Sequence, residues 1–166
     1  MPYVPNRRGQ KILLQAYREA VSAAAITFQG ALKGTLTRGG ASNKGSGGQP
    51  SSPGDPPAVK TGRLRRSIQV NLTEIKKPDP IARVGTNVVY ARIHEFGGVI
   101  TPKKGKWLWF EVDDDGEKSL RRVRRSILPP RPYFRPTMRD PRVLKRMART
   151  AQAVFAKGLG RIPKAT

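Results

Sequence analysis

The segment RSILPPRPYFRP at residues 125–136 contains four prolines, three arginines and two adjacent aromatic residues, and no acid. Three interpretations are open: a disordered basic tether, an arm that binds nucleic acid, or a rigid corner inside a folded domain. Proline fixes φ at about −65° and has no amide proton, so this segment cannot pair as a central strand. The choice among the three interpretations decides what kind of protein the chain can be.

The length and composition predict one folded domain spanning residues 1–166. A chain of 166 residues can bury a core, and it is short for two domains. Apolar residues make up 37% of it, beside 17 glycines and 15 prolines. This combination favours a compact core with long irregular segments over disorder throughout.

The charge is strongly unbalanced. The chain has 33 basic and 11 acidic side chains, a formal net charge of +22, and five of the acids fall between Glu111 and Glu117. The rest of the chain is therefore even more basic, and it should attract polyanions. We expect contact with nucleic acid, or with an acidic partner surface, at some stage of the protein's life.

Several classes of site are disfavoured by composition. The chain has no cysteine and a single histidine, His94, so it lacks the residues for a disulfide, a thiolate site or a multi-histidine metal site. No apolar run approaches the roughly 18–20 residues that cross a bilayer, and the first ten residues do not resemble a signal peptide. We expect no cofactor, no metal and no membrane contact, with assembly in a cytosol.

Residues 10–36 show the clearest periodicity. Apolar residues recur at alternating steps of three and four, which places them on one face of a helix. The seam comprises Leu14, Tyr17, Val21, Ala24, Phe28 and Ala31, widened by Leu13, Ala20, Ala25 and Leu32. Such a helix is typically part of the core, but its length leaves open that part of it packs on another subunit.

Residues 37–60 are rich in glycine, serine and proline and have almost no apolar content. The segment alone cannot bury enough surface to offset its ordering entropy, which predicts a flexible loop. A loop of this length inside a compact domain is uncommon. A passive linker and a loop ordered by a partner both remain open.

The sequence in the middle of the chain predicts short helices and short strands. Thr61 is a good N-cap for one helical turn at 61–68, and strict alternation at 68–72 predicts a strand that pairs with 81–85 across a proline turn. Residues 88–98 match a short amphipathic helix that ends at Gly97.

The second half predicts more strands and a closing helix. We expect strands at 99–101 and 107–112, with Trp107, Trp109 and Glu111 on one face of the second. Residues 113–116, DDDG, then form a hairpin turn. Residues 118–128 fit a helix or a strand, and the preceding turn favours the strand. Helical spacing covers 134–159. The fold class is therefore α+β, with helices on one face of a mainly antiparallel sheet.

Catalysis is not indicated. His94 and Glu95 are adjacent, so on a helix they point to different faces. The acids at 111–117 are more typical of a solvated turn than of a cation site. A metal nuclease would have to use Glu95, Glu111 and Lys106, which have no recognisable spacing. We predict no enzymatic activity.

Three motifs in order resemble one family. They are SPGDPP at 52–57 followed by TGRLRRSI at 61–68; VGT at 84–86 followed by YARIHEFGG at 90–98; and I-x-P-P-R-P-Y-F at 127–134. Together they are similar to the head–tail joining proteins of tailed bacteriophages, also called tail-completion, neck or minor tail proteins, which include the virion morphogenesis proteins of Mu-like phages. The chain departs from the family pattern in having Tyr133 before the aromatic of the corner, and in its high charge.

The resemblance implies a structural subunit of the virion, made in the host cytoplasm, that forms a ring at the phage neck, with a hexamer favoured. The ring would join the DNA-filled head to the tail and contact neighbouring neck and tail rings. The 37–60 loop would be ordered by a neighbour, and the opening segment would be a rigid corner that directs Tyr133 and Phe134 into the core. Residues expected at subunit or partner contacts are Pro53, Gly54, Pro56, Pro57, Arg63, Arg65, Arg66, His94, Glu95 and Arg131. Residues expected to build the corner are Phe96, Gly97, Gly98, Pro130, Pro132 and Phe134.

The arginine runs leave an alternative function open. In a ring that the genome crosses, Arg121, Arg122, Arg124 and Arg125 are candidates to face double-stranded DNA without reading its sequence. Alternatively, the chain is a basic nucleic-acid-binding protein that uses residues 118–146 as its surface.

Overall fold

The computed structural model describes residues 7–39, 51–114 and 117–161. The helices are α1 (Arg7–Gly39), α2 (Arg63–Ser67), α3 (Ala91–Phe96), α4 (Phe134–Arg139) and α5 (Pro141–Leu159). The strands are β1 (Gln69–Asn71), β2 (Arg83–Gly85), β3 (Gly98–Ile100), β4 (Leu108–Asp114), β5 (Glu117–Val123) and β6 (Ser126–Leu128). The predicted α+β class is confirmed.

The first helix is longer than predicted. It extends to Gly39, so the first three residues of the predicted 37–60 loop are helical, while 40–50 lie outside the described residues. The apolar seam is confirmed in the second half of α1, where Phe28 and Leu32 are buried. Near the start of the helix, Leu13 and Tyr17 are almost half exposed. At this level α5 approaches α1 closely at Ala16, which is buried beside them.

The strands form three two-stranded antiparallel ladders among the described residues, and not the single sheet that was expected. The pairs are β1 with β2, β3 with β6, and β4 with β5. The hairpin of β1 and β2 is confirmed, with Val70 opposite Val84. The strands of the first two ladders have only three residues each, and prolines directly after β6 deny further pairing.

The ambiguous segment 118–128 is extended, as favoured, but it divides into β5 and β6. The predicted turn at 113–116 needs correction. Asp113 and Asp114 belong to β4 and pair with Lys118 and Glu117. Residues 115–116 lie outside the described residues.

The closing helix is two helices, so the prediction of one helix over 134–159 is wrong. Asp140 is extended, with φ −68° and ψ 116°, because Pro141 follows it and disfavours the helical conformation in the preceding residue. The Asp140 carboxylate accepts a hydrogen bond from the amide of Arg142 at 2.8 Å. Asp140 therefore caps the N-terminus of α5.

The core lies where α1 meets the corner, α2 and the last helix. Its buried residues are Phe28, Ala31, Leu32, Leu36, Leu64, Ile68, Ala91, Tyr133 and Val143. The rings of Phe28 and Phe134 meet edge to face, with centroids 5.5 Å apart. The corner aromatics are therefore part of the packing that joins the two ends of the chain.

Two glycines in helices provide a matched test of the α1–α5 contact. A Cβ on Gly158 would lie 2.4 Å from the Cβ of Ala16, whereas a Cβ on Gly30 would meet nothing within 4 Å. We expect Gly158→Ala to lower the free energy of unfolding by about 1–3 kcal/mol through overpacking. Gly30→Ala should raise it by about 0.5–1 kcal/mol through helix propensity. Urea denaturation measures both, and a stabilising Gly158→Ala would contradict the close helix contact.

Candidate functional site: the proline corner and its surroundings

A single buried carboxylate holds the start of α4. Glu95 is 8% exposed, and its Oε2 accepts hydrogen bonds from the amides of Tyr133 and Phe134, each at 2.9 Å. Its Oε1 accepts a third from the amide of Arg135 at 2.9 Å. These are amides at a helix start, which have no partner inside the helix, and a negative charge is favourable at that end. Glu95 therefore fixes the direction in which the chain leaves the corner.

A buried cation ties the corner to two other segments. Arg131 donates from Nε to the carbonyl oxygen of Ser51 at 2.8 Å, and its amide donates to the carbonyl oxygen of His94 at 2.6 Å. The amide of Gly54 donates to the carbonyl oxygen of Pro130 at 2.9 Å. These hydrogen bonds tie the corner to α3 and to residues 51–54, and they use a buried Arg131, a residue that was expected at a subunit or partner contact.

Helix α3 ends before Gly97, a position where only glycine fits. Gly97 has φ +69°, and a Cβ there would lie 2.9 Å from both the carbonyl oxygen of Leu128 and the nitrogen of Pro130. A side chain would therefore be strained and would collide with the corner. The C-cap role predicted for Gly97 is confirmed.

Two of the three aromatic residues at the corner lie in or against the core as predicted, and the third, Phe96, does not. Tyr133 is 3% exposed, and Phe134 is half-buried against the core. Phe96 was expected to help build the corner, but it is 53% exposed, with the Arg135 guanidinium 4.4 Å from its ring centroid. The corner occupies the space on the inner side of α3, so Phe96 lies on the outer face. Burial, and next the charge of Glu95, raise the pKa of Tyr133 to about 12.

His94 lies half-buried behind the corner. Its ring meets that of Tyr90 edge to face at 5.7 Å, and within the described part of the chain its Nδ1 has no hydrogen-bond partner. Burial, and then the nearby charge of Arg131, lower the pKa of His94 below its ordinary value. The fold therefore favours the neutral imidazole.

Some predicted interface residues converge and others do not. Pro57, Arg63, Arg65 and His94 line one open cleft of about 350 Å³. Arg66 does not line this cleft, and it donates to the carbonyl oxygen of Thr61 at 3.1 Å. Pro53 and Gly54 are exposed, whereas Pro56 contacts the end of α1 at Gly39. Whether these residues form an interface stays a prediction.

The arginines proposed to face DNA are all exposed, but they do not form one surface. Arg122 lies 4.9 Å from the ring centroid of Trp107, and Arg124 lies 5.3 Å from the same ring. Arg121 is opposite Phe110 in the ladder and hence on the other face. The expected common face of the tryptophans is confirmed, since Arg122 also lies over Trp109.

Sequence reasoning missed the partners of the corner. Ser51 is buried and presents its carbonyl to Arg131, although it belongs to a stretch whose composition is that of a loop. Thr35 and Thr137 hydrogen-bond at 2.8 Å between α1 and α4. No local signal marks either contact, because each joins segments far apart in the chain.

The corner is a structural joint, in which Glu95 and Arg131 hydrogen-bond to segments far apart in the chain. Among the residues whose side chains the structure describes, no three His, Asp or Glu side chains lie together as a metal site. Over the same residues, no helix is both long and apolar enough to cross a membrane.

Two family profiles match more than half of the chain each. The Phage virion morphogenesis family matches residues 54–151, the range that contains α3, the corner and most of α5. The family described as Bacteriophage HK97-gp10, putative tail-component, matches residues 8–97. The fold and the joint thus belong to a class of bacteriophage structural proteins. The chain is a member of the phage virion morphogenesis family, and it shares the tail-component profile over its N-terminal half. Comparisons with curated proteins and with solved structures returned no match.

Glu95→Gln tests the role of the buried carboxylate. The amide keeps one acceptor oxygen but places an NH₂ group against a backbone N–H, so we expect a loss of about 2–4 kcal/mol in unfolding free energy. Glu74→Gln is the control, since the partly exposed Glu74 carboxylate pairs with the exposed side chains of Lys77 and Arg83 and accepts no hydrogen bond from a backbone amide among the described residues. Its loss should stay below about 1 kcal/mol. Equal losses in urea denaturation would contradict the role of Glu95.

The lowered pKa of His94 predicts a pH dependence. The folded state holds the neutral imidazole, so this contribution to stability is complete above the ordinary value of 6.5 and is lost as the pH falls through the folded pKa. Between pH 7.5 and 5, the wild type should therefore lose more unfolding free energy than His94→Gln, which cannot take up this proton. Parallel pH profiles for the two proteins would show that His94 does not titrate differently on folding.

Proposed function

We propose that the chain is a head–tail joining, or tail-completion, subunit that assembles as a ring at the phage neck, with six copies favoured. The observation that carries the proposal is the family match over residues 54–151, which includes the corner and the Glu95 carboxylate that holds the start of α4. A virion morphogenesis protein whose joint is held by buried hydrogen bonds is suited to hold other proteins together.

The exposed apolar surface supports an assembled state. Val99 and Ile127 lie directly opposite each other on β3 and β6, and they are 56% and 69% exposed. Val89, at the start of α3, is 93% exposed. Exposed apolar side chains that lie together, as Val99 and Ile127 do, favour a protein–protein contact. A closed ring requires a heterologous interface, in which different surfaces of adjacent subunits meet.

The partners follow from this position. We place the ring between neighbouring neck and tail rings, in the virion, around the path of the double-stranded DNA. Arginines that line the passage would meet phosphates without reading bases, and only part of the charge should face inward, since tight binding would hinder ejection.

The test is a phage or prophage that lacks the gene. We expect electron micrographs of its lysates to show DNA-filled heads beside separate, finished tails. Adding the purified protein should join them and restore infectivity, whereas an equal amount of a protein of similar positive charge should not. Intact, infectious virions without the gene would refute the proposal. Steeply salt-dependent binding of monomers to DNA, with no joining, would favour the nucleic-acid-binding alternative.

A further inference from the structure

The hairpin of β4 and β5 stands apart from the rest of the fold. Its seven-residue strands pair from Leu108 opposite Val123 to Asp114 opposite Glu117, a length of about 23 Å. No other described helix or strand packs extensively on either strand. A two-stranded hairpin alone is only marginally stable in water, so its length calls for a surface that covers it.

Both faces of this hairpin present apolar side chains to solvent. Trp109 is 58% exposed and Leu120 is 63% exposed on one face, and Phe110 is 41% exposed on the other. Arg122 extends the first face, since it lies over the rings of Trp107 and Trp109. Exposed aromatic side chains beside an arginine are typical of the centre of a protein interface.

The charge of the hairpin is opposite to that of the rest of the chain. Residues 108–123 contain five acidic and three basic side chains, against six acidic and 30 basic in the remainder. The partner that complements this hairpin is therefore basic, and the rest of this chain is such a surface. On the outer side of α5, Arg142, Arg146 and Arg149 are exposed, and none of them pairs with a carboxylate in the described part of the chain. Nucleic acid fits less well, because the acids would repel phosphates.

We propose that the β4–β5 hairpin is an intermolecular arm that packs its exposed apolar side chains and Glu111 onto the basic surface of a second copy of this chain. The contact is heterologous, since the arm of one subunit meets the body of the next. Repetition of such a contact produces a closed ring where the rotation allows it. The inference thus rests on the proposed ring and identifies the element that links its subunits.

Two arm variants with matched controls test the proposal. Leu120→Ser removes an exposed apolar group from the arm, and Ile26→Ser, 56% exposed on α1, is its control. Glu111→Lys reverses a charge on the arm, and Asp79→Lys does so at an exposed acid elsewhere. All four side chains are at the surface, so thermal unfolding of the variants should remain near that of the wild type.

Sedimentation over a range of concentrations gives the readout. We expect the wild type to self-associate, and each arm variant to need about tenfold more protein for half-assembly, with the controls unchanged. Added salt should weaken the wild-type assembly. A wild type that stays monomeric at every concentration, or arm variants that assemble like it, would overturn the proposal. Arm variants that lose DNA binding instead of self-association would assign the arm to nucleic acid.

The joining assay separates this inference from the proposed function. If the wild type joins heads to tails and the arm variants do so equally well, the arm is not the subunit contact, and the joining role stands. If the arm variants lose self-association but the wild type joins nothing, the arm is the contact, and the joining role fails.

Discussion

The carboxylate of Glu95 is the interaction on which the rest of the structure depends. It accepts three backbone hydrogen bonds at the start of α4, from residues that lie 38 to 40 positions later in the chain. Because these amides have no helical partner, one buried charge satisfies all three and sets the entry angle of α4. That angle places Tyr133 and Phe134 against α1 and leads into α5, which packs along α1.

Local chemistry predicts much of this joint, but not its connections. The prolines of 129–132 indicate a corner, because each proline fixes its own φ angle. Gly97 marks the end of α3, because glycine adopts the positive φ angle that this position needs. The partners of Glu95 and Arg131 have no local signature. Phe96 shows the same limit: helical spacing identifies an apolar face on α3, but only the packing of the corner decides that Phe96 lies outside the core.

The separation of the strands into three ladders is also not predictable from local patterns, because it depends on contacts between distant segments. Alternation predicts where a strand lies, and it does so for β1 and β4, but it does not say which strands share a sheet. Prolines after β6 and the short length of β1, β2 and β3 leave three separate ladders among the described residues. The consequence is a compact joint built on α1, with the β4–β5 hairpin left to extend from it. This division suits the proposed ring subunit, which would be rigid in itself and contact its neighbour through the hairpin.

Cryo-electron microscopy of intact virions tests the central claim most directly, that this virion morphogenesis protein joins head to tail as a ring. The account predicts a closed ring of this chain at the neck, between head and tail. Each β4–β5 hairpin should lie on the adjacent copy, and the corner should keep the Glu95 hydrogen bonds described above. Density for the chain inside the tail tube or at the tail tip, or single copies that do not touch one another, would contradict it.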